Sequence, residues 1–309
     1  KYIQMLGFCR WKQHRLREAL VLFHEQEAII GDNEILCENI GHTYSSLGDY
    51  ESAIASFQKG LQLLGESGLP GRKAGFNYGI ALAKDRLGNS RDSIPLLLQA
   101  LDGYRKERVD PDGNPIDSSI HAKVEMSLGH MYEKLGDLDE AAKYMKEAVR
   151  VFRKCVGDQN PLTHSALGSL GKVYMAQQKF DLALECLKEA FEGEAAKDAF
   201  QVDEVFQLIN SIKTILVDHH TSSSTANSGK QQLSNFAARF KPFLAPCRLV
   251  VKRCKPFINS SKNGDVAATF KSLAEFFILG GQYAESVEVL DIALEIFPKV
   301  TAVDCSVSA

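Results

Sequence analysis

The chain has 309 residues, of which 45% are hydrophobic and 24% are charged, and its formal net charge is −3. These values are typical of a folded globular chain and exclude a fibrous or largely disordered protein. No run of eighteen apolar residues occurs in the sequence, so we expect no membrane-spanning helix. The sequence begins at Lys1 without an initiator Met, and we expect it to start inside a longer protein.

Cysteine usage indicates a reducing environment. The number of cysteines is odd and no CxxC pair occurs, which argues against a disulfide framework and against a zinc site. We therefore expect a cytoplasmic or other reducing compartment. The seven cysteines are Cys9, Cys37, Cys155, Cys186, Cys247, Cys254 and Cys305.

The first thirty residues show the apolar period of two helices. Tyr2 to Trp11 form the first helical pattern. A stripe with the spacing of one helix face follows at Leu16, Ala19, Leu20 and Phe23. We expect these two helices to form one partial repeat unit.

A longer segment then recurs along the chain. The sequence GHTYSSLGDYESA at 41–53 matches GHMYEKLGDLDEA at 129–141 at most of its special positions. The frame returns as GKVY at 171–174 and as GQY at 281–283. A fixed period of roughly 34–45 residues indicates stacked helical hairpins.

Three of the copies pair a glycine with a tyrosine. A glycine precedes a tyrosine by three residues on one helical face, so the neighbouring helix can approach closely while the ring fills the adjoining gap. These glycines are Gly41, Gly129 and Gly171, and the tyrosines are Tyr44, Tyr132 and Tyr174.

Each copy also contains a corner. Gly48-Asp49 and Gly136-Asp137 predict a left-handed helix end followed by the N-cap of the next helix. Asp137 with Glu140 predicts a capping box. In a later copy Gln178-Lys179 replaces Gly-Asp, so the geometry of that corner is open.

These residues resemble the tetratricopeptide repeat (TPR), a helix-turn-helix unit. The resemblance implies an all-α, right-handed superhelical solenoid. We place units at 34–67, 74–107, 122–155, 164–197 and 267–298. The first four start 40, 48 and 42 residues apart. The connector CVGDQNPLTH at 155–164 resembles that of kinesin light chains, whose repeats have about this length, and the likeness extends the expected location to the cytoskeleton.

The repeat signal fails between residues 198 and 266. Val205, Leu208, Ile209, Ile212 and Leu216 predict an amphipathic helix, and the Ser/Thr-rich segment 221–230 predicts a mobile loop. The prolines that follow, at 242, 246 and 256, are expected to break or kink the next helix. We therefore divide the chain into a TPR array at 1–197, a degenerate repeat or insertion at 198–266, and a C-terminal TPR-like unit with a tail at 267–309.

The resemblance also implies a binding surface. In TPR proteins the second, fifth, ninth and twelfth positions of successive first helices line a concave groove that holds a peptide or helix. Exposed Tyr, Leu and Met beside single charges suit a partner with apolar anchors and few ion pairs. The alternative is a solvated helix face. The candidate residues are Glu38, His42, Ser45, Tyr78, Leu82, Asp85, Lys123, Met126, His130, Glu133, Lys172 and Met175.

A basic segment offers a second interpretation. From residue 219 to 264 there are eight Lys or Arg and no Asp or Glu, while the other 28 basic residues face 39 acidic ones, a net charge of −11. Segment 230–262 could bind nucleic acid or an anionic surface, with its phenylalanines stacking on bases. Alternatively the phenylalanines pack inward and the charges dock on acidic repeats or on an acidic partner. The patch residues are Arg239, Lys241, Arg248, Lys252, Arg253 and Lys255.

No catalytic motif accompanies these features. The sequence contains no phosphate-binding loop, no dinucleotide fingerprint, no HExxH and no GxSxG. We expect no catalytic residue, no cofactor and no metal ligand, and we interpret the chain as an interaction scaffold or adaptor within a larger complex. The remaining alternative is the regulatory part of a longer enzyme.

Overall fold

The computed structural model describes residues 2–107, 109–113, 116–196, 202–222, 229–254 and 263–292. Within these ranges the chain forms fourteen helical segments and no strand. The predicted all-α class is confirmed. The chain divides into two compact units, residues 1–156 and 157–309. The predicted boundary at 197 lies outside the described residues and stays a prediction.

Unit 1 consists of four helix pairs, in which each helix packs most extensively on its partner in the pair. The last three pairs correspond to the units predicted at 34–67, 74–107 and 122–155. Two of their first helices begin earlier than predicted, at Pro70, whose fixed φ suits a first helical position, and at Ser119. The helices are α1 (Tyr2–Lys12), α2 (Leu16–Ile30), α3 (Glu34–Leu47), α4 (Tyr50–Leu64), α5 (Pro70–Arg86), α6 (Ser90–Glu107), α7 (Ser119–Leu135) and α8 (Leu138–Val156).

The predicted corners are confirmed. Gly48 and Gly136 end α3 and α7 with φ of 83° and 82°, a left-handed conformation that costs other residues more than glycine. Asp49 Oδ1 and Asp137 Oδ1 then accept backbone N–H bonds three residues on, at 3.1 and 3.3 Å. The capping box was only half right, because the Glu140 carboxylate binds Lys143 at 2.8 Å instead of turning back to the Asp137 N–H.

Helix pairs pack by placing a large side chain against a glycine. The ring of Phe57 on α4 is 1% exposed and lies between Gly41 on α3 and Gly79 on α5. An added methyl carbon would lie 2.5 Å from that ring at Gly41 and 2.8 Å at Gly79. Gly129 meets Met145 in the same way. The predicted close approach is confirmed, but the gap is filled mainly by a residue of the second helix.

Unit 2 begins with a regular hairpin. Gln178, at the corner whose geometry the sequence left open, has a positive φ of 60°, and the Lys179 N–H donates to Tyr174 O at 2.9 Å, as Asp137 N–H does to Tyr132 O. The corner therefore forms without glycine. The helices are α9 (Pro161–Ala176), α10 (Phe180–Ala196), α11 (Val202–Ser222), α12 (Gly229–Cys254), α13 (Asn263–Leu279) and α14, described over residues 283–292.

The irregular part of unit 2 lies where the repeat signal fails. All five apolar residues predicted for an amphipathic helix are buried on α11, which packs on α10 and α13 and only slightly on α12. Of the predicted break or kink, the break is wrong at Pro242 and Pro246, because α12 continues through both. Pro256 and the centre of the predicted mobile loop, 223–228, lie outside the described residues.

Candidate functional site: the first-helix face

Ten of the twelve predicted partner-binding residues lie on the first helices of three successive pairs in unit 1. They are Glu38, His42 and Ser45 on α3, Tyr78, Leu82 and Asp85 on α5, and Lys123, Met126, His130 and Glu133 on α7. We call this side of α3, α5 and α7 the first-helix face. The other two, Lys172 and Met175, lie on α9 in unit 2.

Polar contacts join the first helices of neighbouring pairs. Arg72 Nη1 on α5 donates to Glu38 Oε2 on α3 at 2.9 Å. Tyr78 Oη and Ser127 Oγ on α7 lie 3.3 Å apart, and Lys134 Nζ donates to both oxygens of Asp85 at 2.7 and 2.6 Å. These bonds fix the spacing of the helices that form the face.

Asp85 is the most strongly held of the predicted residues. Its side chain is 10% exposed and accepts a third bond from Ser90 Oγ at 2.6 Å. Burial by itself would raise the pKa of Asp85, but the bonds from Lys134 and Ser90 outweigh it, and the pKa lies below its usual value. Asp85 is therefore a charged tie between α5 and α7.

Other predicted residues remain accessible between these ties. Leu82 is 37% exposed and lies between Tyr78 and Asp85 on the same side of α5, one helical turn from each. Lys123 is exposed on α7, and Met126 and Glu133 are half-buried. His130 Nδ1 lies 3.5 Å from Glu133 Oε2. The face thus offers an apolar side chain with single charges around it.

His42 combines exposure with a ring contact. Its imidazole is partly exposed and packs edge-on against Phe57, with centroids 5.1 Å apart. Loss of solvent at this contact lowers the pKa of His42, and the nearby Glu38 carboxylate opposes the shift. The lowered pKa favours the neutral imidazole, which contributes a ring with hydrogen-bonding nitrogens.

In unit 2 a small groove lies beside the predicted Lys172. A cavity of about 280 Å³ is bounded by α9, α10 and α11 and includes Lys172, whose Nζ donates to Gln207 Oε1 at 2.9 Å. Met175 is half-buried on the same helix. The other lining residues are His164, Ser165, Gly168, Ser169, Glu194, Glu204 and Leu208.

The basic segment is partly neutralised inside its own unit. Arg248 Nη2 pairs with Glu285 Oε1 at 2.7 Å, while Lys241 and Lys252 are exposed. Phe240 and Phe243 are buried against Phe276, so these two rings are not available for stacking on bases. The side chains of Arg239, Arg253 and Lys255 lie outside the described part.

The described residues contain no cluster of His, Cys, Asp and Glu that could hold a metal ion. In the same ranges no helix is long and apolar enough to cross a membrane. The five cysteines that the structure describes are free thiols. Burial raises the pKa of Cys37 and of Cys247, which favours the unreactive thiol form.

Sequence reasoning missed the residues that complete the ties. Arg72, Ser127 and Lys134 are not at the positions the family analogy selects, yet they hold Glu38, Tyr78 and Asp85. The sequence did contain a signal for two of these contacts. Ser127 follows Tyr78 by 49 residues and Lys134 follows Asp85 by 49, close to the 48 residues between the predicted unit starts at 74 and 122, so each pair occupies nearly equivalent positions on neighbouring first helices.

Together, these features define an all-α array of helical hairpins with left-handed corners, glycine-to-ring packing and linked first helices. Models of the tetratricopeptide repeat match residues 36–63, 78–150 and 121–193. The tetratricopeptide repeats predicted from the sequence resemblance are confirmed over these residues.

Known proteins resemble this chain in sequence or in structure. KINESIN LIGHT CHAIN-RELATED 2 of Arabidopsis thaliana is 21% identical over 260 residues, which are 82% of this chain and 35% of that protein. A signal transduction ATPase with a TPR sensor from Pyrococcus horikoshii has a TM-score of 0.63 at 16% identity, covering 98% of this chain and 43% of that chain. The apo form of RapI has a TM-score of 0.56 at 13% identity, with coverage of 97% and 98%. The chain spans about a third of the length of the curated relatives it matches.

Proposed function

We propose that the chain is a non-catalytic protein-interaction scaffold and that the first-helix face of unit 1 binds a peptide or helix of a partner. The observation that carries this proposal is the accessibility of Leu82, Lys123, Met126 and Glu133 on helices joined by inter-helix hydrogen bonds. A surface that is rigid before binding loses little conformational entropy when a partner docks.

The chemistry of the face specifies a mixed partner segment. Leu82 and Met126 provide apolar contact, while Lys123 and Glu133 provide one charge of each sign. Glu38 and Asp85 are already paired inside the chain and add little net charge for a ligand. We therefore expect a segment with one or two apolar anchors flanked by single charges, and not a highly charged tail.

The test is quantitative affinity purification with two matched variants. Leu82→Asp and Lys123→Glu together place two unfavourable charges on the face without touching a buried residue. Leu63→Asp is the control, since Leu63 is 48% exposed on α4, a second helix. A partner that is recovered by the wild type and by Leu63→Asp, but not by the double variant, supports the proposal. Equal recovery by all three contradicts it.

The proposed setting is a reducing compartment and a multi-subunit assembly. Free thiols among the described cysteines suit a reducing environment, and exposed Cys9 and Cys155 would be prone to oxidation elsewhere. Mass measurement of the native complex, purified under reducing conditions, tests the assembly. A monomer under all conditions in which the partner is present would contradict it.

A further inference from the structure

Unit 1 contains a pocket of its own, which lies between the second helices α6 and α8. Its volume is about 440 Å³, within the range of about 300–1,000 Å³ that is typical of ligand sites. None of the residues assigned above to the first-helix face lines it. We call it the Glu125 pocket; its lining residues are Leu98, Leu101, Asp102, Arg105, Glu125, Lys143, Tyr144 and Glu147.

Glu125 reaches the pocket from α7 and is buried. Its side chain is 2% exposed, and Oε1 accepts a bond from Arg105 Nη2 at 2.8 Å. Its other oxygen, Oε2, has no hydrogen-bond partner among the described residues. A buried carboxylate oxygen without a donor is unfavourable, because it has lost its hydration without compensation. The pocket therefore lacks one donor.

The other charges around the pocket have partners. Asp102 pairs with Lys106 and Glu147 pairs with Arg150, each at 2.6 Å. Lys143 pairs with Glu140 at 2.8 Å. None of these residues donates to Glu125 Oε2, so a donor on a bound molecule would find that oxygen unpartnered.

One wall of the pocket is apolar and fixed. Leu101 is buried and Leu98 is partly exposed on α6. On α8 the ring of Tyr144 is stacked on Tyr132, with centroids 5.5 Å apart and planes within 3°, and Lys143 Nζ lies 5.2 Å from the centroid of Tyr144. A chain of methylene groups fits such a wall, because it can lie along aliphatic and aromatic surface while its charged end reaches further.

We propose that the Glu125 pocket binds a basic side chain of a partner protein, with the ammonium or guanidinium group donating to Glu125 Oε2 and the aliphatic stem packing between Leu98 and Tyr144. This site is separate from the first-helix face and does not depend on it. A partner that uses both would contact the first-helix face of α3, α5 and α7 together with the pocket formed by α6, α7 and α8, which adds avidity.

Binding of a cation requires an ionised Glu125. Burial raises the pKa of Glu125 to about 7, Arg105 on α6 and Arg150 on α8 lower it, and Glu147 on α8 raises it. Asp102 and Lys143 also face the pocket. Between about pH 8 and about pH 6 the ionised fraction falls from roughly nine-tenths to one-tenth, so affinity for a cation should fall by about tenfold.

The test uses the whole chain and defined tripeptides. N-acetylated, C-amidated Ala-Lys-Ala and Ala-Arg-Ala are titrated while the methyl NMR signals of Leu98 and Leu101 are followed, with Ala-Gln-Ala as the uncharged control. We expect saturable shifts with the basic peptides only, with about tenfold weaker binding at about pH 6 than at about pH 8. Equal shifts with Ala-Gln-Ala, or binding that is independent of pH, would overturn the proposal.

Two variants and one competitor complete the test. Glu125→Gln should abolish the response to the basic peptides, with its fold verified by circular dichroism. Arg105→Gln leaves the carboxylate in place and removes an exposed partner, so it should move the midpoint of the pH profile upward. An unchanged midpoint would contradict the role of Glu125. The competitor is putrescine, a free diamine. If putrescine binds at least about tenfold more tightly than the peptides, the ligand of the pocket is a free amine and the proposal of a protein side chain is overturned.

Discussion

Substitution of Gly41 by alanine tests the packing on which the repeat array depends. The added methyl carbon would lie 2.5 Å from Phe57 Cε1 and 2.7 Å from Cδ1, well inside the contact distance of carbon atoms. The ring cannot retreat, because it is 1% exposed and already touches Gly79 on the other side. Overpacking of this kind costs about 1–3 kcal/mol, and the better helix propensity of alanine offsets up to about 1 kcal/mol.

Gly75 provides a matched control for the same change. It lies inside α5, where an added methyl carbon would meet Tyr104 Oη at 3.4 Å, an ordinary contact. Gly75→Ala should therefore stabilise the protein by up to about 1 kcal/mol through helix propensity alone. The difference between the two variants isolates the contact with Phe57, since both gain the same propensity.

The assay is urea unfolding followed by far-UV circular dichroism. Gly41→Ala should unfold at lower urea than the wild type, and Gly75→Ala at equal or higher urea. The expected gap in the free energy of unfolding is about 1–3 kcal/mol. If the two variants had equal free energies of unfolding, α3 and α4 could move apart without a loss of stability. That result would refute the glycine-to-ring account of hairpin packing.

Three further substitutions should each change the stability of the protein in a defined direction. Gln178→Gly should raise the free energy of unfolding by about 1 kcal/mol, because it relieves a left-handed non-glycine corner; a decrease in chemical denaturation would contradict that geometry. Asp85→Asn should cost about 1 kcal/mol by weakening the bonds from Lys134 and Ser90. The stability that Asp85 contributes is present above the usual pKa of an aspartate and is lost as pH falls through the lowered pKa of the folded protein. A variant as stable as the wild type at neutral pH would exclude the tie between α5 and α7. Glu125 has its folded pKa raised from 4.5 to about 7, so the folded state binds the proton more tightly, and stability should fall by about 3 kcal/mol as pH rises from 4.5 to 7. Glu125→Gln should remove that slope in thermal melts, and an unchanged slope would assign it to another group.

The corners were predictable from the sequence because their chemistry is local. A left-handed residue followed by an N-cap acceptor involves only a few neighbouring positions, and Gly48-Asp49 and Gly136-Asp137 both form as predicted. The Gln178 corner forms although the residue is unsuited to it, since the packed helices on either side determine the turn. Tertiary structure overrides local preference there.

The Glu125 pocket was not predictable in the same way. Its walls come from residues 98–105 on α6 and 143–147 on α8, and the register between successive hairpins is set by tertiary packing. One sequence signal did exist, because Glu125 is a charged residue between buried Val124 and Leu128 on α7. A carboxylate at a buried helical position requires a partner, and that requirement points to a site even where the wall residues are unknown.

Site-specific photo-crosslinking tests the central claim most directly. A benzophenone amino acid is placed at Leu82 on the first-helix face or, as the matched position, at Leu63 on α4, and each protein is irradiated with its purified partner. The account predicts a crosslink from position 82 to an extended or helical segment of the partner, and none from position 63. Efficient crosslinking from position 63, with none from position 82, would contradict it.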